Sequence, residues 1–349
     1  MKIMHILCTG TYSGAENMAI SIIEQMKDKD HTGVYVSPSG IIDEKLYENN
    51  IEHFIIKKVC VKEIKRAIRT IKPDIIHAHD FKASVIATLT LTQIPIISHL
   101  HNNSNWIKKF NFKSLVYLLC SRRVKKILLV SKSIKEEYIY SNMISDKMIV
   151  MGNFVDLKNV RYKANEGNMK EKFDVIFLGR LSLEKNPEKF LGVIKLVKDK
   201  LPNINAAMVG DGSLKTKCED IIKENCLENN VELFGFLDNP YTILNNSKIL
   251  CITSNWEGFG LVAVEAFALN IPVVASDVGG LPDIVDDYCG KICKSNKDFC
   301  EEIVKLLKDF KYYEKKVSNI PQKLSKINNT AKYIENLDNI YREISNEVK

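Results

Sequence analysis

Two carboxylates stand eight positions apart around a glycine turn in Thr253-Ser-Asn-Trp-Glu257-Gly-Phe-Gly-Leu-Val-Ala-Val-Glu265-Ala-Phe267. The apolar run Lys248–Thr253 before them reads as a buried strand, Leu261–Leu269 as an amphipathic helix, and Ile271–Ser276 as the next strand. Glycines between a strand and a helix let a ligand approach the backbone closely, and the unpaired amides that open the helix attract an anion such as a diphosphate. Glu257 falls in the loop and Glu265 within the helix. Two acceptors at different depths suit a ligand with two separate diols, as in a nucleotide-sugar.

A second set of chemistry-bearing residues supplies positive charge. Phe177-Leu-Gly-Arg180-Leu-Ser-Leu-Glu-Lys185-Asn-Pro187 ends a strand and opens a helix, with Pro187 suited to its first turn. Arg180 is a permanent cation with a forked donor set, and Lys185 is a compact charge on a flexible stem. At the carboxyl end of a strand, where doubly wound sheets bind ligands, the two can clamp a diphosphate. The bland alternative is an ordinary surface Arg and Lys. Val209-Gly210-Asp-Gly212 also follows a strand. Alone, Gly-x-Gly is most often a tight turn, and here it is expected to border a nucleotide pocket with Phe234-Gly235-Phe236 near the base.

Glu257-x7-Glu265, followed by Pro272-Val-Val-Ala-Ser-Asp-Val-Gly-Gly280-Leu-Pro-Asp-Ile284, resembles the donor-site signature of family 4 retaining glycosyltransferases with the GT-B fold. The resemblance covers nearly the whole chain and is strongest from Phe177 to Val285. It implies an α/β architecture: two facing Rossmann-like, doubly wound parallel-sheet domains, an interdomain cleft, and a nucleotide-sugar held mainly by the second. It implies that Arg180 and Lys185 bind the phosphates and that Glu257 holds sugar hydroxyls. Glu265 would hold the ribose, with Gly258 and the backbone amides of Phe259, Gly260 and Leu261 assisting. Gly14, in Thr11-Tyr-Ser-Gly-Ala-Glu16, resembles the glycine of the loop that closes over the donor phosphates. Glu16 is equally well read as a charge complementing a helix dipole.

The seven histidines all lie within the first 101 residues, four of them in Asp74-Ile-Ile-His77-Ala-His79-Asp80 and Ser98-His99-Leu-His101-Asn102. Each His-x-His invites a metal reading. Alternate strand residues share a face by the pleat alone, however, and zinc needs a third ligand that the spacing does not supply. No metal is therefore expected. By position His101 resembles the family's active-site histidine, with His99 the competing assignment. His77 and His79 are expected to order loops, contact acceptor, or serve structure only.

The elements that must position these residues follow from apolar runs alternating with amphipathic segments. Strands are expected at Ile3–Cys8, Gly33–Val36, Ile75–His77, Ile94–Leu100 and Ile127–Val130. They are expected again at Val175–Leu178, Asn205–Val209 and Val231–Phe234, with helices from Ala15 to Met26, after Pro187 and up to Ile222. Strands separated by helical stretches make parallel sheets with right-handed crossovers. The expected division is a first domain over 1–156, a linker over 157–172, a second domain over 173–325, and a C-terminal helix over 326–349. By the resemblance, that helix packs back on the first domain. A length of 349 residues suits two domains, and 45% hydrophobic with 27% charged residues is ordinary for a globular protein.

Residues 1–156 hold 22 Lys+Arg against 15 Asp+Glu, a balance of +7, and the rest is neutral (50 − 22 = 28 against 43 − 15 = 28). Seven Lys/Arg and no acid fall in 106–126, interleaved with aromatics and leucines. This span suits an anionic membrane surface, although a domain helix with a solvated basic face competes. No nucleic-acid-binding motif accompanies the charge. The apolar start is too short for a signal peptide, and no run approaches the ~20 residues of a membrane span. Nine scattered cysteines suggest free thiols in a reducing compartment, hence a cytoplasmic protein, possible at the inner membrane face.

These features point to a cofactor-free enzyme moving sugar from a nucleotide-sugar, UDP-sugar expected, to a glycan or undecaprenyl-diphosphate-linked acceptor in bacterial surface polysaccharide assembly. A nonhydrolysing nucleotide-sugar epimerase shares the architecture, and a non-catalytic sugar-binding protein is a further alternative. A dinucleotide-dependent dehydrogenase is disfavoured, since neither half opens with Gly-x-Gly-x-x-Gly.

Overall fold

In the computed structural model, which describes residues 1–104, 106–167, 169 and 171–346, the chain forms two compact units. The first comprises Met1–Asn153 with Thr330–Lys349, and the second Phe154–Asn329.

The first unit is built on seven strands: β1 Lys2–Ile6, β2 Thr32–Ser37, β3 Glu52–Ile55, β4 Ile75–His79, β5 Ile96–Leu100, β6 Lys126–Leu129 and β7 Met148–Val150. Every pairing is parallel, in the order β3-β2-β1-β4-β5-β6-β7. Parallel strands buried on both faces read as continuous apolar runs, which is why Ile75–His79 and Ile96–Leu100 are buried at every position. The helix Gly14–Met26 buries Met18, Ile22, Ile23 and Met26, and its Ala19, Ile20 and Ile23 share a core with Leu7 and Tyr35. The helix Thr330–Asn346 belongs to the same unit: its Asp338 accepts from His31 at 2.7 Å, and Glu343 pairs with Lys126 at 2.8 Å. Residues 347–349 of the expected terminal helix lie outside the described residues.

The second unit has six strands: β8 Phe173–Leu178, β9 Ala206–Val209, β10 Val231–Gly235, β11 Ser247–Ile252, β12 Val273–Ser276 and β13 Gly290–Cys293. They are again parallel, in the order β10-β9-β8-β11-β12-β13. One face carries a core around Phe173, Leu250 and Phe267, the other a core around Phe190, Met208 and Phe299. Both sheets are therefore the expected doubly wound Rossmann-like kind. In each the strand order reverses at a switch point, β1/β4 in the first and β8/β11 in the second, where ligands of such sheets bind.

Three expectations need correction. Strands β3, β7 and β13 were not expected: β3 and β13 carry polar residues among their four because an edge strand is half covered, and β7, apolar throughout, is only three residues long. The stretch 157–172 is not a plain linker. It contains the helix Leu157–Ala164, capped by Asp156 accepting from Lys158 and Asn159 N–H, which buries Val160 and Ala164 in the second unit; residues 168 and 170 lie outside the described residues. The helix Leu261–Ala268 is not amphipathic, since Glu265 is its one polar residue and most of its length is buried.

Candidate functional site

At the switch point of the second sheet, the loop after β8 and the loop after β11 are tied to each other. The Thr253 hydroxyl donates to the Asn186 carbonyl at 2.9 Å, Asn255 N–H to the Glu184 carbonyl at 2.8 Å, and Asn255 Nδ2 to the Leu183 carbonyl at 2.7 Å. Asn186 in turn caps the helix Pro187–Lys198 by accepting from Lys189 N–H. This stitching places Lys185 Nζ 2.6 Å from Glu257 Oε2, while the Ser254 hydroxyl donates to the same oxygen at 3.2 Å. Glu257 is buried, at 8% exposure, and Lys185 is partly exposed. Burial works against the Lys185 charge, but the Glu257 carboxylate outweighs it and holds the ammonium pKa above its ordinary value. Arg180 is exposed two residues past β8 and lies close enough to act on Lys185 electrostatically.

Glu265 lies one element further in. The Tyr241 hydroxyl donates to its Oε1 at 3.2 Å. Burial among the apolar side chains of its own helix raises its pKa to about 7, with Tyr241 and the Lys185 charge opposing. Gly260 precedes this helix with φ 98, a left-handed conformation suited to glycine, and a Cβ there would meet Leu281 at 2.7 Å. No side chain caps the helix start, so the amides of Gly260 and Leu261, following Gly258 and Phe259, precede its first internal hydrogen bonds.

Gly210 is a point of close backbone approach. Its φ is +140, and a Cβ there would lie 1.9 Å from the Gly179 carbonyl. Its N–H donates to the Gly235 carbonyl at 2.7 Å, so the loops after β8, β9 and β10 lean on one another. Phe236, just past β10, is 58% exposed.

In the first unit, Gly14 is exposed and opens the helix Gly14–Met26. Glu16 is buried and accepts from the Thr9 hydroxyl at 2.9 Å and from the Ser13 hydroxyl, so it holds the loop between β1 and this helix. Five histidines from three adjacent strands meet here: His5 on β1, His77 and His79 on β4, and His99 and His101 on or just after β5. His101 is partly exposed; its N–H donates to Asp80 Oδ1 at 2.8 Å, and its Nε2 meets His79 Nδ1 at 2.8 Å. His99, the competing assignment, is fully buried against His77 at 3.2 Å. His77 and His79 are buried as well, which leaves neither a surface for acceptor. Desolvation lowers the pKa of all five, to about 3 for His5 and His101, so all are neutral at pH 7.

The expected donor-side residues Arg180, Lys185, Glu257 and Glu265 thus share one end of the second sheet, while Gly14 and His101 belong to the first unit. Sequence reasoning missed Ser254 and Tyr241 behind the two carboxylates, and Asp80 behind His101. Asp80 adopts φ 64, and its place directly after His-x-His at a strand end is the available signal.

Two doubly wound parallel sheets in one chain, each with polar side chains gathered at its switch point, are the architecture of the GT-B fold. Residues 159–323 match the family model described as glycosyl transferases group 1, and residues 12–159 match glycosyltransferase family 4. The chain belongs to this glycosyltransferase family. It is 26% identical to the capsular polysaccharide biosynthesis glycosyltransferase CapM of Staphylococcus aureus over 88% of each chain. It is 24% identical to the UDP-Gal:alpha-D-GlcNAc-diphosphoundecaprenol alpha-1,3-galactosyltransferase of Escherichia coli, covering 97% of this chain and 95% of that protein. In fold it resembles Anabaena HepE in complex with UDP and glucose, with a TM-score of 0.88 at 19% identity, covering 98% of this chain and 100% of that one.

Proposed function

We propose that the chain is a retaining glycosyltransferase that moves a sugar from a UDP-sugar to a hydroxyl of a lipid-linked glycan during bacterial surface polysaccharide assembly. The observation that carries this reading is the Lys185–Glu257 pair, held at 2.6 Å at the switch point of the second sheet. Lys185 and Arg180 neutralise charge as the diphosphate leaves, which is differential stabilisation of the transition state. Glu257 accepts from sugar hydroxyls, Glu265 and its helix hold the ribose, and the Phe259–Leu261 amides assist at the phosphates. His101 orients the sugar, and Gly14 lets the loop after β1 close over the phosphates. Among the described residues no side chain here is a nucleophile beside a base, and in the front-face transfer that the family resemblance implies the departing phosphate takes the acceptor proton on the face it leaves. Two fixed cations serve where a metal would otherwise sit, and added Mg²⁺ or Mn²⁺ is expected to leave the rate unchanged. The name of the Escherichia coli galactosyltransferase supports a UDP-sugar donor and a lipid-linked acceptor, and that of CapM supports a setting in polysaccharide synthesis.

Membrane contact belongs to the same proposal. The span 106–126 is not one helix: a ten-residue helix, Phe112–Ser121, buries Ser114, Tyr117 and Leu118. Phe110, Phe112 and Leu119 are exposed beside Lys109, Lys113, Arg122 and Arg123, whereas Lys108 and Lys126 are engaged with Glu137 and Glu343. No described helix is long and apolar enough to cross a membrane. Co-sedimentation with anionic but not neutral vesicles is the expected result.

The decisive experiment incubates the protein with UDP-sugars and an undecaprenyl-diphosphate-linked sugar and assigns the product anomer by NMR. Retained configuration supports the reading; inversion, or a new sugar epimer formed from donor alone, sinks it.

A further inference from the structure

The transferase reading gives a task to His101 but none to the four imidazoles packed behind it. The five rings form two hydrogen-bonded chains. One runs from the Tyr341 hydroxyl to His77 Nδ1 at 2.7 Å and from His77 Nε2 to His99 Nδ1 at 3.2 Å. The other runs from His5 Nδ1 to His79 Nε2 at 3.2 Å and from His79 Nδ1 to His101 Nε2 at 2.8 Å. Each chain ends on a buried nitrogen with no partner among the described residues, His99 Nε2 and His101 Nδ1. These two rings lie side by side, with centroids 4.1 Å apart. A buried polar atom without a partner costs about 1–3 kcal/mol, and two in adjacent rings call for an occupant.

We propose that His79, His99 and His101 form a site for one divalent transition-metal ion of the zinc class. One ring nitrogen from each lies within 4.8 Å of those of the other two. Two nitrogens on a tetrahedral zinc stand roughly 3.3 Å apart, so the set is complete when His79 Nδ1, His99 Nε2 and one nitrogen of His101 close to that spacing, the ion taking the place of the His79–His101 hydrogen bond and the partly exposed His101 ring turning its other nitrogen toward solvent. Behind the ligands an outer shell is already in place. His5 holds the other nitrogen of His79, and His77, itself held by Tyr341, holds the other nitrogen of His99. Ligating histidines characteristically have the far nitrogen fixed in this way. The trio His5, His77 and His79 is equally compact, but both nitrogens of His77 are engaged there, whereas the outer trio carries the two unpartnered nitrogens, His99 Nε2 and His101 Nδ1. Three imidazoles leave a coordination position for water or a ligand oxygen. The ion stands apart from the Arg180–Lys185 cations in sequence and in role, and the proposal does not rest on the transferase reading.

The test strips tag-free, full-length protein with a chelator and titrates it with Co²⁺, read by visible absorption, with Zn²⁺ in competition by calorimetry. One equivalent with intense ligand-field bands is expected. His79→Gln and His99→Gln, which keep a hydrogen-bonding side chain, should each weaken binding by about 100-fold or more, and His5→Gln by about 10-fold through the outer shell. His53→Gln, outside the cluster, should change nothing. Circular dichroism verifies folding; if His99→Gln does not fold, the partly exposed His101→Gln takes its place. Absence of bands and heat in the wild type, or binding that survives the His79, His99 and His101 substitutions, overturns the site and leaves a closed imidazole ladder. Either result leaves the roles of Arg180, Lys185, Glu257 and Glu265 as they stand, because none of them is a ligand; binding would move His101 from orienting the sugar to holding the ion.

Discussion

The two switch points solve the burial of polar groups in opposite ways. In the first unit, five imidazoles are stacked beside one another and kept neutral by desolvation. In the second, the charge is kept and paired, Lys185 against Glu257, with a neutral-leaning carboxyl at Glu265 behind it. The same location in the same kind of sheet thus gives one region that resists gaining protons and one that welcomes a proton. Acidification should therefore move the stabilities of the two units in opposite directions.

The largest effect is expected in the first unit. The five clustered histidines have folded pKa values far below the ordinary 6.5, so the unfolded chain binds protons that the folded one refuses, and stability is lost as pH falls through 6.5. Going from pH 7.5 to 5.5 should cost roughly 5 kcal/mol summed over the cluster. Hydrogen exchange on chelator-treated protein should show β1, β4 and β5 opening at pH 5.5 while β8, β11 and β12 stay protected. Equal protection of both sheets would break the comparison. Next in size, Lys185→Ala should lower turnover by about two powers of ten, or ~3 kcal/mol, by removing charge stabilisation at the leaving diphosphate. Near-normal turnover at saturating donor would remove Lys185 from the chemistry.

How much of this was legible beforehand differs between the regions. The second-unit site was readable because its residues are local: Glu257 and Glu265 flank one glycine turn, and Arg180 and Lys185 sit within one strand-to-helix loop. The central strands were readable from continuous apolar runs, while β3 and β13 were hidden by edge exposure. The histidine cluster was half readable. Each His-x-His was visible, but the meeting of β4 with both β1 and β5 is a matter of sheet order, which no local spacing encodes. The same holds for Tyr341, which reaches His77 from a helix 264 positions along the chain. Burial was misjudged at the helix Leu261–Ala268, where neighbours rather than periodicity decide which faces are covered.

The second unit supplies the opposite sign. Glu265 titrates near 7 when folded against an ordinary 4.5, so the folded state holds a proton that the unfolded chain releases. Its contribution is fully present below about 4.5 and is lost as pH rises through about 7. Between pH 7.5 and 5.5 the second unit should therefore gain about 1–2 kcal/mol. Glu265→Gln should stabilise the protein at pH 7.5 and flatten this slope, while weakening UDP in calorimetric titration because a ribose diol loses its charged acceptor. Unchanged UDP affinity would refute the ribose role even if the stability slope behaved as described.

The smallest effect isolates the imidazole chain itself. Tyr341→Phe keeps the ring that packs edge-on against His77 at 5.9 Å and deletes only the hydroxyl 2.7 Å from His77 Nδ1. The hydroxyl is buried with the ring, so its removal leaves His77 Nδ1 without a partner in a region closed to water. A neutral buried hydrogen bond contributes about 1 kcal/mol net, and a melting shift of a few degrees confined to the first unit is expected. The same change should let His77 and His99 exchange tautomers, visible as altered ¹⁵N imidazole shifts, while UDP binding in the second unit stays as it was. A matching loss of UDP affinity would mean that the two units do not respond separately, and the contrast between a neutral switch point and a charged one would have to be abandoned.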